Sequence, residues 1–107
     1  MKPRYRRMLE GLAARRNSSA SKDWSVYILR CADATLYTGI AKDVFVRLKK
    51  HNSGSGAAYT RARRPVRLLY QEDGKTRSQA LIREAEIKAL GRAGKESLLS
   101  IRTSGYS

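Results

Sequence analysis

The chain has 107 residues, of which 41% are hydrophobic, and a single cysteine. This length allows one domain with a modest core, the hydrophobic content excludes a wholly disordered protein, and one cysteine excludes an internal disulfide framework. The net charge of +14 causes self-repulsion that a polyanion relieves, so nucleic acid is the first candidate partner and an anionic membrane surface the second.

The predicted elements begin after a basic extension, residues 1–22, which carries seven Lys or Arg against one Glu and ends in a Ser-rich stretch. Its one helical segment is too short to be stable alone. We interpret it as a flexible arm that attracts nucleic acid, followed by a domain over residues 23–107. An organelle transit peptide has a similar composition, and that alternative stays open.

Three segments have the composition of β-strands. Residues 24–32 (WSVYILRCA) are rich in β-branched and aromatic side chains, and residues 35–40 (TLYTGI) follow after a short turn. Residues 64–72 (RPVRLLYQE) predict the third strand. Residues 73–75 (DGK) are typical of a turn and are expected to end it.

A first helix is predicted over residues 42–52 (KDVFVRLKKHN). Asp43 is a typical N-cap, and Gly54 is typical of the residue that follows a helix. Residues 53–58 (SGSGAA) are expected to form a flexible loop.

The longest predicted helix covers residues 76–90 (TRSQALIREAEIKAL). Thr76 and Gln79 have the spacing of a capping box, and Gly91 is expected to stop the helix. A short last helix follows. The order β-β-α-β-α-α predicts an α+β fold, in which three mainly antiparallel strands form one small sheet that helices must cover to be stable.

The length of the hairpin turn decides whether Tyr27 and Tyr37 lie on the same face, because side chains alternate along a strand. A two-residue turn places them on opposite faces. A three-residue loop, residues 32–34, pairs Tyr27 with Gly39 and places both tyrosines on one face, although Ala34 then adopts a left-handed conformation that costs about 1–2 kcal/mol. We favour this loop, since Gly39 would leave the Tyr27 hydroxyl accessible to a group as large as a phosphate.

Taken together, residues 24–99 resemble the GIY-YIG nuclease domain, and most of all its short standalone bacterial members, which are related to the nuclease domain of excision-repair endonucleases. The matching elements are "SVY" ending at Tyr27, "YTG" from Tyr37 to Gly39, "RL" with Arg47, "HN" with His51 and Asn52, the run "YTRARRPVRLLY", and "ALIRE" ending at Glu84. Two departures are Ser25 and Val26 in place of the first Gly-Ile, and Ala34 in place of a turn glycine.

The resemblance implies a metal-dependent nuclease. Glu84 would bind one divalent cation, Mg²⁺ or Mn²⁺, and Tyr27 or Tyr37 would activate the attacking water. Arg47 would steady the phosphate in the transition state, and His51 would help to hold the nucleophile network or the phosphate.

The residue types fit these roles, although each has a simpler explanation. Arg47 and His51 share a helical face because they are four residues apart, and a guanidinium matches phosphate geometry. Tyrosine, with a pKa near 10, is a poor base unless a metal, Lys42 or Arg47 stabilises the phenolate. The simpler explanations are ordinary strand aromatics, a solvated basic face, and a surface pair of Glu84 with a lysine four residues later.

Basic residues beside an aromatic one suit phosphate contacts and base stacking, although a solvated basic loop is an equal alternative. The predicted nucleic-acid-binding residues are Lys42, Tyr59, Arg61, Arg63 and Arg64. Gly39 and Asn52 are expected to have structural roles.

The leading hypothesis is a metal-dependent DNA endonuclease with weak sequence preference, acting in DNA repair or recombination in the bacterial cytoplasm. RNA is a second candidate substrate, and a recruiting protein is a candidate partner. The alternatives are a nucleic-acid-binding module that does not cut, and an adaptor that docks an acidic protein. No apolar run reaches the roughly 18 residues of a membrane span. The sequence leaves the oligomeric state open.

Overall fold

The computed structural model describes residues 21–104, which fold into a three-stranded antiparallel sheet with helices on both faces. Its elements are β1 (Trp24–Arg30), β2 (Leu36–Ala41), α1 (Val44–Ser53), α2 (Ala58–Arg61), β3 (Arg67–Lys75), α3 (Arg77–Ala89) and α4 (Gly91–Ser104). The strand order β2-β1-β3 places β1 in the centre. The predicted α+β fold is confirmed, whereas the basic extension lies almost wholly outside the described residues.

The β1–β2 hairpin has the three-residue loop that we favoured from the sequence. The register pairs Tyr27 with Gly39 and Leu29 with Tyr37, and the Cys31 N–H closes the loop by donating to the carbonyl of Thr35 at 2.9 Å. Because the register is fixed in this way, both tyrosines project toward the same face of the sheet.

Ala34 adopts the left-handed conformation that this loop requires, with φ of 70°. Local hydrogen bonds offset the strain. The Asp33 carboxylate accepts from the backbone N–H of Thr35 at 3.2 Å and from its hydroxyl at 2.6 Å, and Arg92 donates to the Ala34 carbonyl at 2.6 Å. A turn without its usual glycine is therefore held by polar contacts.

Two hydrophobic cores lie on opposite faces of the sheet, which is why β1 reads as a continuous apolar run. The core on the α1 face contains Tyr27, Leu29, Cys31, Ala41, Val44 and Val66. The core on the α3 face contains Val26, Ile28, Tyr70, Ala80 and Ile87. None of the helices in the described part of the chain is long and apolar enough to cross a membrane.

The predicted helix ends are largely confirmed. The Asp43 side chain accepts from the Val46 N–H, and Gly54, with φ of 91°, follows α1. Thr76 and Gln79 form the reciprocal hydrogen bonds of a capping box at the start of α3. Both caps fix where a helix begins, and hence which of its side chains face the sheet.

Three expectations about the connections are wrong. Residues 73–75 continue β3 instead of turning the chain, because Lys75 still pairs with Trp24 and a register shift beside that pair absorbs the positive φ of Gly74. The loop after α1 ends in α2, a helix that the sequence did not indicate. The last helix, α4, has 14 residues and is not short, although α3 does stop before Gly91, which has φ of 72°.

A half-buried ion pair joins β3 to α3. The Glu72 side chain is 17% exposed and accepts from Arg83 Nε at 2.9 Å and Nη2 at 3.0 Å, and the Tyr70 hydroxyl also donates to it. Burial alone would raise the pKa of Glu72, but the hydrogen bonds from Arg83 and Tyr70 outweigh it and hold the pKa at about 2.

We predict that Glu72→Gln lowers the free energy of unfolding at pH 7 by about 1–2 kcal/mol, less than the full pKa shift would give because water reaches one side of the pair. A depressed pKa stabilises the fold above the ordinary value of 4.5, and this stability is lost as the pH falls toward about 2. The variant should therefore show a flatter pH dependence in that window, measured by urea unfolding.

Glu86→Gln is the matched control, since Glu86 binds the same arginine at 3.1 Å but is 58% exposed. It should change the unfolding free energy by less than about 0.5 kcal/mol. Equal effects of the two substitutions would contradict the assignment of the stabilising pair to Glu72.

Candidate active site

Tyr27 lies at the centre of the α1 face and is 1% exposed. Its hydroxyl packs over Gly39, where a Cβ atom would lie only 2.6 Å from the phenol oxygen. Gly39 therefore makes room for the tyrosine itself. The expectation that Gly39 leaves the hydroxyl open to a phosphate is wrong for this conformation, because the Tyr27 side chain fills that space.

His51, in the last turn of α1, is fully buried against Tyr27. Its Nε2 lies 3.0 Å from the Tyr27 hydroxyl, and its Nδ1 lies 2.8 Å from the hydroxyl of Thr60 in α2. Both ring nitrogens thus have a hydrogen-bond partner, as a buried polar group requires.

The Thr60 hydroxyl lies between two partners, 3.0 Å from the Ala57 carbonyl, to which it can donate, and 2.8 Å from His51 Nδ1. Because a hydroxyl has a single proton, donation to Ala57 leaves it able only to accept from the ring. In that arrangement the neutral ring carries its proton on Nδ1, and Nε2 accepts from the Tyr27 hydroxyl. Burial, and then the charge of Arg47, lower the pKa of His51 and favour this neutral form.

The surroundings of Tyr27 act on its pKa in opposite directions. Burial, the neighbouring Tyr37 and the charge of Glu84 raise it, hydrogen bonding and charge from Arg47 lower it, and the net pKa is about 12. Arg47 and Glu84 thus both act on the phenol oxygen although they belong to different helices. At pH 7 the phenol is neutral, and ionising it costs about 7 kcal/mol, which is about five pH units.

Glu84 projects from α3 with its side chain 19% exposed and lies 3.1 Å from the ammonium of Lys88. Among the described residues, no three His, Cys, Asp or Glu side chains are grouped as metal ligands. This donor set does not fit a zinc site with four protein ligands. It fits a hard cation such as Mg²⁺, which takes one carboxylate together with waters and phosphate oxygens.

An aromatic stack extends from His51 to the surface. The Tyr37 ring is 5.2 Å from the His51 ring between centroids and 5.9 Å from the Tyr59 ring, with which it is stacked at 27°. The Arg63 guanidinium lies 4.1 Å from the Tyr59 centroid and pairs with Asp33 at 3.0 Å. This arginine, predicted to bind nucleic acid, is engaged in contacts within the chain.

The other predicted nucleic-acid-binding residues lie around the buried Tyr27–His51 pair and do not contact it. Lys42 is exposed, 5.9 Å from the Trp24 ring centroid, and lines an open cavity of about 400 Å³ together with Arg47 and Lys50. Arg61 is exposed. Arg64 donates to the backbone carbonyl of Arg61 at 2.9 Å.

Asn52 joins the end of α1 to the segment before β3 by two hydrogen bonds. Its amide donates to the Val66 carbonyl at 2.9 Å and accepts from the Val66 N–H at 2.7 Å. These two bonds hold the end of the helix that carries Arg47 and His51.

The sequence analysis did not identify Thr60 or Gly56. A Cβ atom on Gly56 would lie 2.5 Å from His51 Nδ1, so the backbone there passes directly against the ring. One signal was available: a histidine that is buried needs a hydrogen-bond partner for each ring nitrogen. Thr60, nine residues after His51 and before β3 in the sequence, was a candidate partner.

Comparison with known proteins identifies the sequence pattern. The profile of the family described as "GIY-YIG catalytic domain" matches residues 23–97. A UPF0213 protein of Staphylococcus aureus (strain Mu3) is 56% identical over 77 residues, which cover 72% of this chain and 94% of the relative. The relatives' names state no activity.

Two solved structures are similar in fold and sequence. The solution structure of the UPF0213 protein BH0048 from Bacillus halodurans has a TM-score of 0.51 and 44% identity and covers 78% of this chain and 88% of that one. The protein EF2693 from E. faecalis has a TM-score of 0.52 and 40% identity, with coverage of 74% and 84%.

We predict that His51 titrates below its ordinary pKa of 6.5, because burial and Arg47 both disfavour the imidazolium. His51 is the only histidine, so an NMR titration of its ring protons reports on this site alone. Arg47→Gln should raise the midpoint toward 6.5 without reaching it, since burial remains.

Lys49→Gln is the matched control: it removes the same charge from an exposed position on the same helix and should move the midpoint less. A midpoint at or above 6.5 in the wild type would contradict the buried neutral ring.

Proposed function

The chain belongs to the GIY-YIG family, and from this membership we propose that it is an endonuclease that hydrolyses phosphodiester bonds in DNA with one divalent cation, Mg²⁺ or Mn²⁺. The observation that carries the proposal is the buried hydrogen bond between Tyr27 and His51, and the charges of Arg47 and Glu84 are near enough to shift the pKa of that tyrosine. These are the base, the proton acceptor, the phosphate-binding cation and the metal ligand that such hydrolysis needs.

In the proposed reaction Tyr27, not Tyr37, is the base, because its hydroxyl has a proton acceptor directly behind it. Tyr27 is 1% exposed in the free protein, so the proposed reaction requires that binding of the substrate opens the site enough for water to reach its hydroxyl. As that water attacks the phosphorus, the Tyr27 oxygen takes a proton from it and gives its own proton to His51 Nε2. This relay avoids a free phenolate, whose formation at pH 7 would cost about 7 kcal/mol at a pKa of about 12. The phosphorus–oxygen bond to the leaving group then breaks, the leaving oxygen takes up a proton from solvent, and His51 returns its extra proton to solvent.

Arg47 is placed to act on both the base and the substrate. Its charge lowers the pKa of Tyr27, and its guanidinium also lines the open cavity beside α1. From there it can bind two phosphate oxygens at once and stabilise the charge that develops on them in the transition state.

Glu84 is the residue that would hold the cation. A divalent cation bound there supplies positive charge that stabilises the phosphate oxygens and favours ionisation of the attacking water.

The net charge of +14 and the exposed Lys42, Lys50 and Arg61 support a nucleic-acid substrate bound mainly through phosphates, and hence weak sequence preference. We propose DNA, with a role in repair or recombination, and a protein partner that recruits the nuclease. RNA is the competing substrate in the test below.

A second candidate function is a nucleic-acid-binding module that does not cut. One observation favours it: Glu84 is already paired with Lys88 at 3.1 Å, and a cation must displace that ammonium. In a binding module no cation would compete with Lys88 for the Glu84 carboxylate.

We predict that the wild type cuts labelled single-stranded, duplex, flap or four-way DNA with Mg²⁺ or Mn²⁺, and that Glu84→Gln lowers the cleavage rate by about 100-fold or more while DNA affinity changes little. The reason is that a bound cation contributes several kcal/mol of transition-state stabilisation. Gel-based cleavage and fluorescence-anisotropy binding, with matched RNA substrates, measure both quantities.

Glu86→Gln is the control, because Glu86 is on the same helix, is 58% exposed and pairs with Arg83 instead; it should cut like the wild type. Binding without cleavage by the wild type on every substrate would favour the binding module.

A further inference from the structure

We infer that Thr60 is a positioning residue for this site: its hydroxyl fixes the proton of His51 on Nδ1, so that Nε2 is always the nitrogen that faces Tyr27 as an acceptor. The inference rests on the proposed function in one respect, namely that His51 receives the Tyr27 proton. The state of the ring itself is independent of any cleavage.

The first support is the burial and hydrogen bonding of Thr60. Its side chain is fully buried, where an unsatisfied hydroxyl is unfavourable. The hydroxyl donates to the Ala57 carbonyl at 3.0 Å and meets His51 Nδ1 at 2.8 Å. Since it has one proton and that proton is engaged by Ala57, it presents only a lone pair to the ring.

The second support is the close approach of the backbone before α2. At Gly56 a Cβ atom would lie 2.5 Å from His51 Nδ1 and 2.8 Å from its Cα. A side chain at this position would clash with the ring unless the ring moved. Gly56 therefore lets the backbone pass close to the same Nδ1 edge of His51 that meets Thr60.

The third support is the way α2 is anchored. A helix of four residues is too short to be stable alone, so its position depends on side-chain contacts. Tyr59, next to Thr60, stacks on Tyr37, and Arg63 covers Tyr59 while pairing with Asp33 of the hairpin turn. The segment that fixes His51 is thus attached to the hairpin that carries both tyrosines.

The tautomer matters because only one of the two neutral forms can take a proton from Tyr27. With the proton on Nε2, the ring would donate to the phenol oxygen and Tyr27 would have no acceptor for its own proton. Unlike an exposed imidazole, which exchanges between both forms, a ring fixed by Thr60 needs no rearrangement before each turnover.

The test is nitrogen-15 NMR of the imidazole ring in the full chain, compared with cleavage kinetics, for the wild type, Thr60→Val and Thr60→Ser. Valine has nearly the same shape as threonine but has no hydroxyl, and serine keeps the hydroxyl. Because His51 is the only histidine, its two ring nitrogens are the only imidazole signals.

We expect a protonated Nδ1 and an unprotonated Nε2 in the wild type and Thr60→Ser near pH 7.5. In Thr60→Val we expect loss of this pattern and a fall in kcat of about 10- to 100-fold, part of the rate that a positioned base contributes, with little change in KM. Recovery of the wild-type rate by serine would distinguish positioning from a packing defect, and thermal unfolding would verify that each variant folds.

A protonated Nε2 in the wild type would overturn the inference without any variant, even if Thr60→Val failed to fold. An unchanged ring pattern or an unchanged kcat in a folded Thr60→Val would also overturn it. The nitrogen-15 signals of Thr60→Val could change as expected while the wild type cuts no substrate. That result would show that Thr60 sets the tautomer, and it would overturn the proposed nuclease function and the catalytic part of the inference.

Discussion

The hydrogen bond between Tyr27 and His51 is the constraint on which the rest of the site depends. The two side chains are 1% and 0% exposed, so a donor or acceptor left unpaired would cost about 1–3 kcal/mol. The bond joins a strand to a helix, and the other ring nitrogen joins that helix to α2. Sheet register, helix start and the position of α2 must therefore all be correct together.

In the hairpin, the strand register that this hydrogen bond requires is unfavourable for the backbone of one turn residue. A shift of one residue would turn Tyr27 toward the α3 face, and the register that prevents it requires Ala34 to be left-handed, at about 1–2 kcal/mol. Asp33 compensates by bonding Thr35 within the turn and Arg63 outside it. The same carboxylate therefore stabilises the turn and anchors the segment that holds His51.

The parts of this arrangement governed by local rules could be predicted from the sequence. Alternation along the strands limited the register to two choices, and the one favoured is correct, although the reason given for it, an accessible Tyr27 hydroxyl, is wrong. The i,i+4 spacing placed Arg47 and His51 on one face. The role of Thr60 was missed, because the signal for it, a ring nitrogen of His51 that needs a partner, depends on knowing that His51 is buried. The turn expected at residues 73–75 failed for a similar reason: pairing of Lys75 with Trp24 outweighed local turn preference.

Arg47 connects the resting state of the site to its proposed reaction. In the free protein its charge, added to the larger effect of burial, lowers the pKa of His51 and so keeps Nε2 free to accept a proton. In the proposed reaction, a phosphate bound to Arg47 would neutralise part of that charge, and the pKa of His51 would rise. His51 would then be a stronger proton acceptor with substrate bound than in the free protein, where the same arginine favours the neutral ring.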